Sequence, residues 1–212
     1  MIQYIIFDVS GTLLGKPSLY SSIKQVIGDF GYDVSLVEIK QKHKLLSEVI
    51  HFPDRTDVFF YQKFNSELLY LLGIVPTEEI VDSIFKNCTY LPWEKYDDTS
   101  VLSELNLPLG IVSNFNTTLK EKLQYFFGDL FQDVFVSEEL GVAKPNIEFY
   151  QKALEQIPFE PNEILYVGDS IKLDLEPAKK VGLNTLIIDR DNFYPKNNAI
   201  ISDLRSISQF LK

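Results

Sequence analysis

Ile5-Ile6-Phe7-Asp8-Val9-Ser10-Gly11-Thr12-Leu13-Leu14 opens this chain with an apolar run that ends in an acid and a Gly-Thr turn. A strand buried in a parallel sheet reads as a continuous apolar segment, and its carboxyl end is where open α/β sheets collect their ligands. Asp8 is therefore read as a nucleophilic carboxylate. Working outward, apolar segments at 109–113, 133–137, 164–168 and 184–189 join 4–8 as expected strands. Helical periodicity, with Gly, Pro and Asn at the joints, covers 118–127, 146–157, 175–181 and 203–211. Strands alternating with helices predict an α/β fold built on a doubly wound parallel sheet.

Between the first two expected strands lie roughly a hundred residues, far more than the dozen or so that a crossover needs. Leu36, Ile39, His43, Leu46 and Ile50 recur at helical steps, as do Tyr61, Phe64, Leu68 and Leu71. Gly73 reads as a helix stop and Thr77 as the N-cap of another helix running toward Cys88. The expected organisation is a core of residues 1–14 and 93–212 with a helical insertion at 15–92.

Composition narrows the functional classes. The 212 residues are 45% hydrophobic and 24% charged, as in ordinary globular proteins, and no apolar run is long enough to span a bilayer. A net charge of −10 argues against a nucleic-acid surface and suits a divalent cation held among carboxylates. Met1 leads directly toward the first strand with no basic leader, so a cytoplasmic location is expected. The single cysteine, Cys88, is read as a packing residue.

Four groups of residues fall at expected carboxyl ends of strands. They are Asp8 with Gly11 and Thr12; Ser113-Asn114; Lys144-Pro145; and Gly168-Asp169-Ser170 with Asp174. Any one could be a turn or a helix cap. Their joint occurrence along one sheet points to a site. Lys144 would bring positive charge to the acids gathered there.

Through Asp-x-x-Gly-Thr, Ser-Asn, Lys-Pro and Gly-Asp-Ser-x-x-x-Asp the chain resembles the haloacid dehalogenase superfamily of hydrolases. The resemblance implies a Rossmann-like core with strand order 5-4-1-2-3 and a helical cap. It also implies an aspartyl-phosphate on Asp8, phosphate binding by Thr12, Ser113, Asn114 and Lys144, and Mg2+ held by the Asp8 carboxylate, the Ser10 carbonyl and the Asp169 carboxylate. Gly168, Ser170 and Asp174 would support that site, Asp174 as an acidic neighbour or a ligand through water. The expected function is a magnesium-dependent phosphatase acting on a small phosphorylated metabolite, with neither nucleic acid nor membrane as partner.

Ser10 departs from the family pattern, in which a second Asp acts as general acid and base. A serine hydroxyl does not ionise near neutral pH, and losing such a group costs about 10²- to 10⁴-fold in rate. Alternatives therefore stand beside a slow phosphatase: a phosphate-ligand or partner-binding protein with degenerate catalysis, or another hydrolase of the superfamily. In the insertion, Arg55 is read as pairing with Asp54 or Asp57, or else gripping a substrate anion. His43 is read as a packing histidine, and Phe59, Phe60, Tyr61, Phe64 and Trp93 as filling the cap and its junction.

Overall fold

The computed structural model describes residues 1–50 and 56–211, so Asp54 and Arg55 lie outside the described residues. These residues divide into two compact units, Met1–Gly15 with Lys95–Lys212, and Lys16–Glu94.

In chain order, β1 (Tyr4–Phe7) and β2 (Leu14–Gly15) are followed by the helices α1 (Leu19–Asp29), α2 (Leu36–Val49), α3 (Val58–Leu71) and α4 (Glu78–Cys88). These four helices form the second unit. Ser35 caps α2 by accepting from the Glu38 N–H at 3.1 Å, and Asp57 caps α3 by accepting from Phe60 at 2.8 Å. Thr77 occupies the N-cap position of α4 without a side-chain cap bond, unlike the sequence expectation. The apolar stripes converge on Ile23, Ile27, Ile39, Leu68, Ile80 and Ile84, so each helix contributes one face to a shared interior. His43 packs edge-on between Tyr20 and Phe64, with ring centroids at 5.3 and 4.9 Å, and burial holds its imidazole down to about 4. Cys88 is half-buried, and burial raises its thiol to about 11, which keeps it protonated and inert.

The chain re-enters the first unit at β3 (Glu94–Lys95), which pairs with β2, and continues through a 3-10 segment, Asp97–Glu104. Then come β4 (Leu109–Ser113), α5 (Leu119–Phe127), β5 (Asp133–Val136), α6 (Ser137–Leu140), α7 (Ile147–Leu154) and β6 (Ile164–Gly168). A π-type turn over Ile171–Leu175 leads into α8 (Glu176–Lys180), β7 (Asn184–Ile188) and β8 (Ile200–Ile201). The main sheet has six strands in the order β5-β4-β1-β6-β7-β8. All its pairings are parallel, with Ile5 opposite Leu109 on one side of β1 and Leu165 on the other. Read from β7, this is the expected 5-4-1-2-3 with one more strand, β8, at the edge.

Central β1 is buried along its whole length, in keeping with the absence of any charged residue in it before Asp8. Tyr4, Ile6, Val112, Phe149, Tyr150 and Tyr166 pack together on one face of the sheet. The helix expected at 175–181 is α8, entered through the π-type turn over Ile171–Leu175. The segment expected at 203–211 differs: it is a 3-10 helix over Leu204–Phe210, its first turn closed by Ser206 N–H to the Asp203 carbonyl at 3.1 Å.

Candidate active site

The parallel sheet brings β1, β4 and β6 side by side, and the chain leaves β1 on one side for β4 and β5 before crossing back to β6 on the other. This reversal of winding direction creates a crevice at the carboxyl ends. Asp8 follows β1, Ser113 ends β4 and Gly168 ends β6, so three of the four motifs meet there.

Lys144 comes from the loop after α6, and its Nζ is buried between Asp8 Oδ1 at 2.6 Å and Asp174 Oδ1 at 2.7 Å. Asn114 fixes it there. The Asn114 side-chain amide donates to the Lys144 carbonyl at 2.9 Å and accepts from the Lys144 N–H at 2.7 Å, a two-point hold on the backbone of one residue. Both ends of the Asn114 amide are thus engaged with backbone, so the geometry makes it a support for Lys144. Ser113 is buried at the end of β4.

Asp174 accepts four hydrogen bonds: from Asp169 N–H at 3.1 Å, Ser170 N–H at 2.9 Å, Lys144 Nζ at 2.7 Å and the Tyr166 hydroxyl at 2.7 Å. It therefore shapes the Gly168–Ser170 turn and anchors Lys144 at once. Ser170 Oγ accepts from Leu173 N–H at 2.9 Å, which starts the following turn. Gly168 is required because a Cβ there would overlap the Asp174 carboxyl group. Burial raises both Tyr166 and Tyr150, so these phenols stay neutral beside the charges.

The Asp8 loop is tightly turned. Thr12, fully buried, donates to Asp8 Oδ2 at 3.3 Å. Gly11 has φ +87°, and a Cβ there would overlap the Asp169 carboxylate, so this backbone approaches that acid more closely than any other residue type permits. The Val9 carbonyl accepts from Leu13 and Leu14 N–H, and those of Leu13 and Leu14 accept from Tyr96 and Gly11 N–H. The Gly11 and Thr12 carbonyls accept from Arg190. Among the described residues, the Ser10 carbonyl is the one in the run 9–14 left open to another partner. The Ser10 side chain is exposed.

Electrostatics fit a cation. Carboxylate oxygens of Asp8, Asp169 and Asp174 lie within 4.8 Å of one another, with the single Lys144 ammonium among them. Burial raises the Asp8 carboxyl, Lys144 pulls it back, and Asp174 and Asp169 raise it again, to about 7. Burial would lower Lys144, but Asp174 and Asp8 outweigh that and raise it, so it remains an ammonium. The negative charge in excess of Lys144 is what a divalent ion with oxygen ligands would offset. Asp174 already accepts four hydrogen bonds, which leaves the Asp8 and Asp169 carboxylates as the acids of this cluster more open to a cation.

A family model described as haloacid dehalogenase-like hydrolase matches residues 2–182. The chain belongs to the haloacid dehalogenase-like hydrolases. Among its relatives, the glyceraldehyde 3-phosphate phosphatases of Methanocaldococcus jannaschii and Methanopyrus kandleri are 25% and 27% identical, each over 96% of this chain and 92% of their own. The HAD-hydrolase YfnB from Bacillus subtilis, in a magnesium-bound crystal structure, shares the fold with a TM-score of 0.67 at 22% identity, covering 99% of this chain and 98% of that one. This hydrolase is accordingly an enzyme of that family. Among its described residues no helix is long and apolar enough to cross a membrane.

One participant escaped the sequence reading. Arg190, which contacts both Gly11 and Thr12, carries no local motif, and its carboxylate partner Asp98 lies far away in sequence.

Proposed function

We propose that this hydrolase is a magnesium-dependent phosphatase acting on a small phosphorylated metabolite through an aspartyl-phosphate on Asp8. The observation that carries this reading is the buried 2.6 Å pair of Lys144 with Asp8 beside the Asp169 carboxylate, a nucleophile set between a fixed cation and a metal-fitting acid cluster. Relatives named glyceraldehyde 3-phosphate phosphatase, matched along nearly their whole length, make triose phosphates the first substrates to try. Residues 15–92 serve as the substrate-selecting cap, and 1–14 with 93–212 as the catalytic core.

In the first step an Asp8 carboxylate oxygen bonds to phosphorus while the bond to the leaving oxygen breaks. Lys144 balances the charge on the phosphoryl oxygens and keeps Asp8 oriented, and the Ser113 hydroxyl holds one of those oxygens. Magnesium, held by Asp8, Asp169 and the Ser10 carbonyl, would supply the remaining positive charge. In the second step water bonds to phosphorus and passes its proton to solvent, the aspartyl oxygen is released, and phosphate leaves with Asp8 regenerated. Ser10 cannot ionise to deprotonate that water or to protonate an alkoxide, so the leaving group takes its proton from solvent and the second step limits the rate. Substrates with good leaving groups are favoured.

The test is phosphate release from a panel of phosphorylated metabolites, triose phosphates included, with Mg2+ and with chelator. Metal-dependent release is expected. No turnover of any panel member, together with no Mg2+ binding by calorimetry, would overturn the proposal.

A further inference from the structure

Arg190 stands two residues beyond the end of β7, and its guanidinium makes four hydrogen bonds. Nε and Nη2 donate to the two carboxylate oxygens of Asp98 at 3.0 and 2.7 Å, the planar fork geometry in which arginine differs from lysine. Nη1 donates to the Gly11 carbonyl at 3.0 Å, and Nη2 also to the Thr12 carbonyl at 2.8 Å. The guanidinium is stacked on Tyr96, 3.9 Å from the ring centroid, and the Tyr96 N–H donates to the Leu13 carbonyl at 3.2 Å. Asp98 is buried and accepts from the Leu204 N–H at 3.1 Å, which ties this group to the C-terminal segment.

Three successive carbonyls, 11 to 13, therefore turn toward one cluster made of Arg190 and the 96–98 segment. An exposed ion pair would add little, but here the carboxylate is buried and the cation is shared with main chain, so rearranging the loop would strand both. Holding these carbonyls fixes the turn immediately after Ser10. A chain in which residues 11–13 were free to rotate could present a different carbonyl, or none, beside Asp8.

We infer that Arg190, held by Asp98 and stacked on Tyr96, is a positioning residue that sets metal affinity by fixing the Gly11–Leu13 carbonyls, so that the Ser10 carbonyl and the Asp8 carboxylate are presented together. This rests on the magnesium-dependent reading above. A purely structural brace would behave differently, lowering the folded fraction while leaving the affinity of each folded molecule unchanged.

Two variants separate these cases. Arg190→Lys keeps a charge opposite Asp98, but one ammonium cannot serve a carboxylate and two carbonyls in the same fork. The double variant Arg190→Met with Asp98→Asn removes both charges, so neither is left buried and unpaired. Mg2+ binding to the metal-free proteins is followed by calorimetry, with thermal unfolding recorded alongside. Both variants should bind Mg2+ about 10- to 100-fold more weakly, the range for partners that orient metal ligands, with the number of ions per folded chain unchanged. The Mg2+ needed for half-maximal phosphate release should shift by the same factor, and kcat should recover toward wild type at saturating Mg2+. Wild-type affinity in the folded variants, or a fall in stoichiometry alone, overturns the inference and leaves the magnesium reading standing. If the wild-type protein itself binds no Mg2+, both fall together.

Discussion

Replacing Asp174 by Asn tests whether this acid acts as scaffold or as metal ligand. Its four hydrogen bonds arrive as two pairs, the Asp169 and Ser170 N–H groups on Oδ2 and Lys144 Nζ with the Tyr166 hydroxyl on Oδ1. An amide has one acceptor oxygen, so in either orientation its NH2 meets one pair of donors. Two hydrogen bonds are lost, and two buried groups are left facing a donor at about 1–3 kcal/mol each. Lys144 keeps Asp8 as a carboxylate partner, so the cost stays near that of breaking one buried pair, about 3–5 kcal/mol. At about 2–4 °C per kcal/mol for a protein of this size, the melting temperature should fall by about 6–20 °C. Circular dichroism on metal-free protein measures this, with Asp169→Asn as the comparison. Asp169 is only partly buried, and its replacement removes excess negative charge, so that variant should change stability by no more than about 1 kcal/mol while losing Mg2+ binding. A fall under about 2 °C for Asp174→Asn, or equal effects of the two variants, would refute the division of labour between these acids.

Because the Asp8 carboxyl is raised to about 7 in the metal-free protein, a proton competes with the cation, and the apparent Mg2+ affinity should drop about tenfold per pH unit below 7. The native state holds that proton more tightly than the unfolded chain does. The stability it contributes is therefore present at low pH and lost as pH rises through 7, and Asp8→Asn, inactive in turnover, should remove this dependence in metal-free melts; unchanged pH profiles would count against the assignment. For Ser10, acid quenching should trap a phosphoenzyme in the wild type, and Ser10→Asp should raise turnover of alkyl phosphates by about 10-fold or more. Absence of both effects would transfer the limiting step elsewhere. Gly11→Ala should destabilise the protein by about 1–2 kcal/mol through its positive φ and should weaken Mg2+ binding by displacing Asp169, both measurable in a single calorimetric and melting series.

Much of this fold was legible because buried parallel strands are nearly uniform in polarity: 4–8, 109–113 and 164–168 could be read from apolar runs alone. The edge was harder. Two-residue β8 is too short for any pattern, and the Ile171–Leu175 turn follows from hydrogen bonds to Ser170 that no periodicity announces. Among the site residues, Asp8 and Asp169 were legible because an acid just past a strand end is conspicuous, whereas Lys144, in the loop after α6, and Asp174, in the turn after β6, stood out through the motifs around them. The Ser-Asn motif points Asn114 toward phosphate, but its two hydrogen bonds to the Lys144 backbone, a contact across 30 residues, emerge only in three dimensions. Arg190 and Asp98 were invisible for the same reason. They lie 92 residues apart, and nothing local distinguishes them from solvated charges.

The exposed Ser10 side chain sits on a loop whose shape is held through main-chain carbonyls. The identity of residue 10 is therefore decoupled from the architecture beneath it, and a lineage can alter that one side chain without rebuilding the site. On the proposed mechanism, such variation would change the dwell time of phosphate on Asp8. With serine there, the phosphoryl group would stay longer on Asp8 between turnovers, and the loaded form would become a species that others in the cell can encounter.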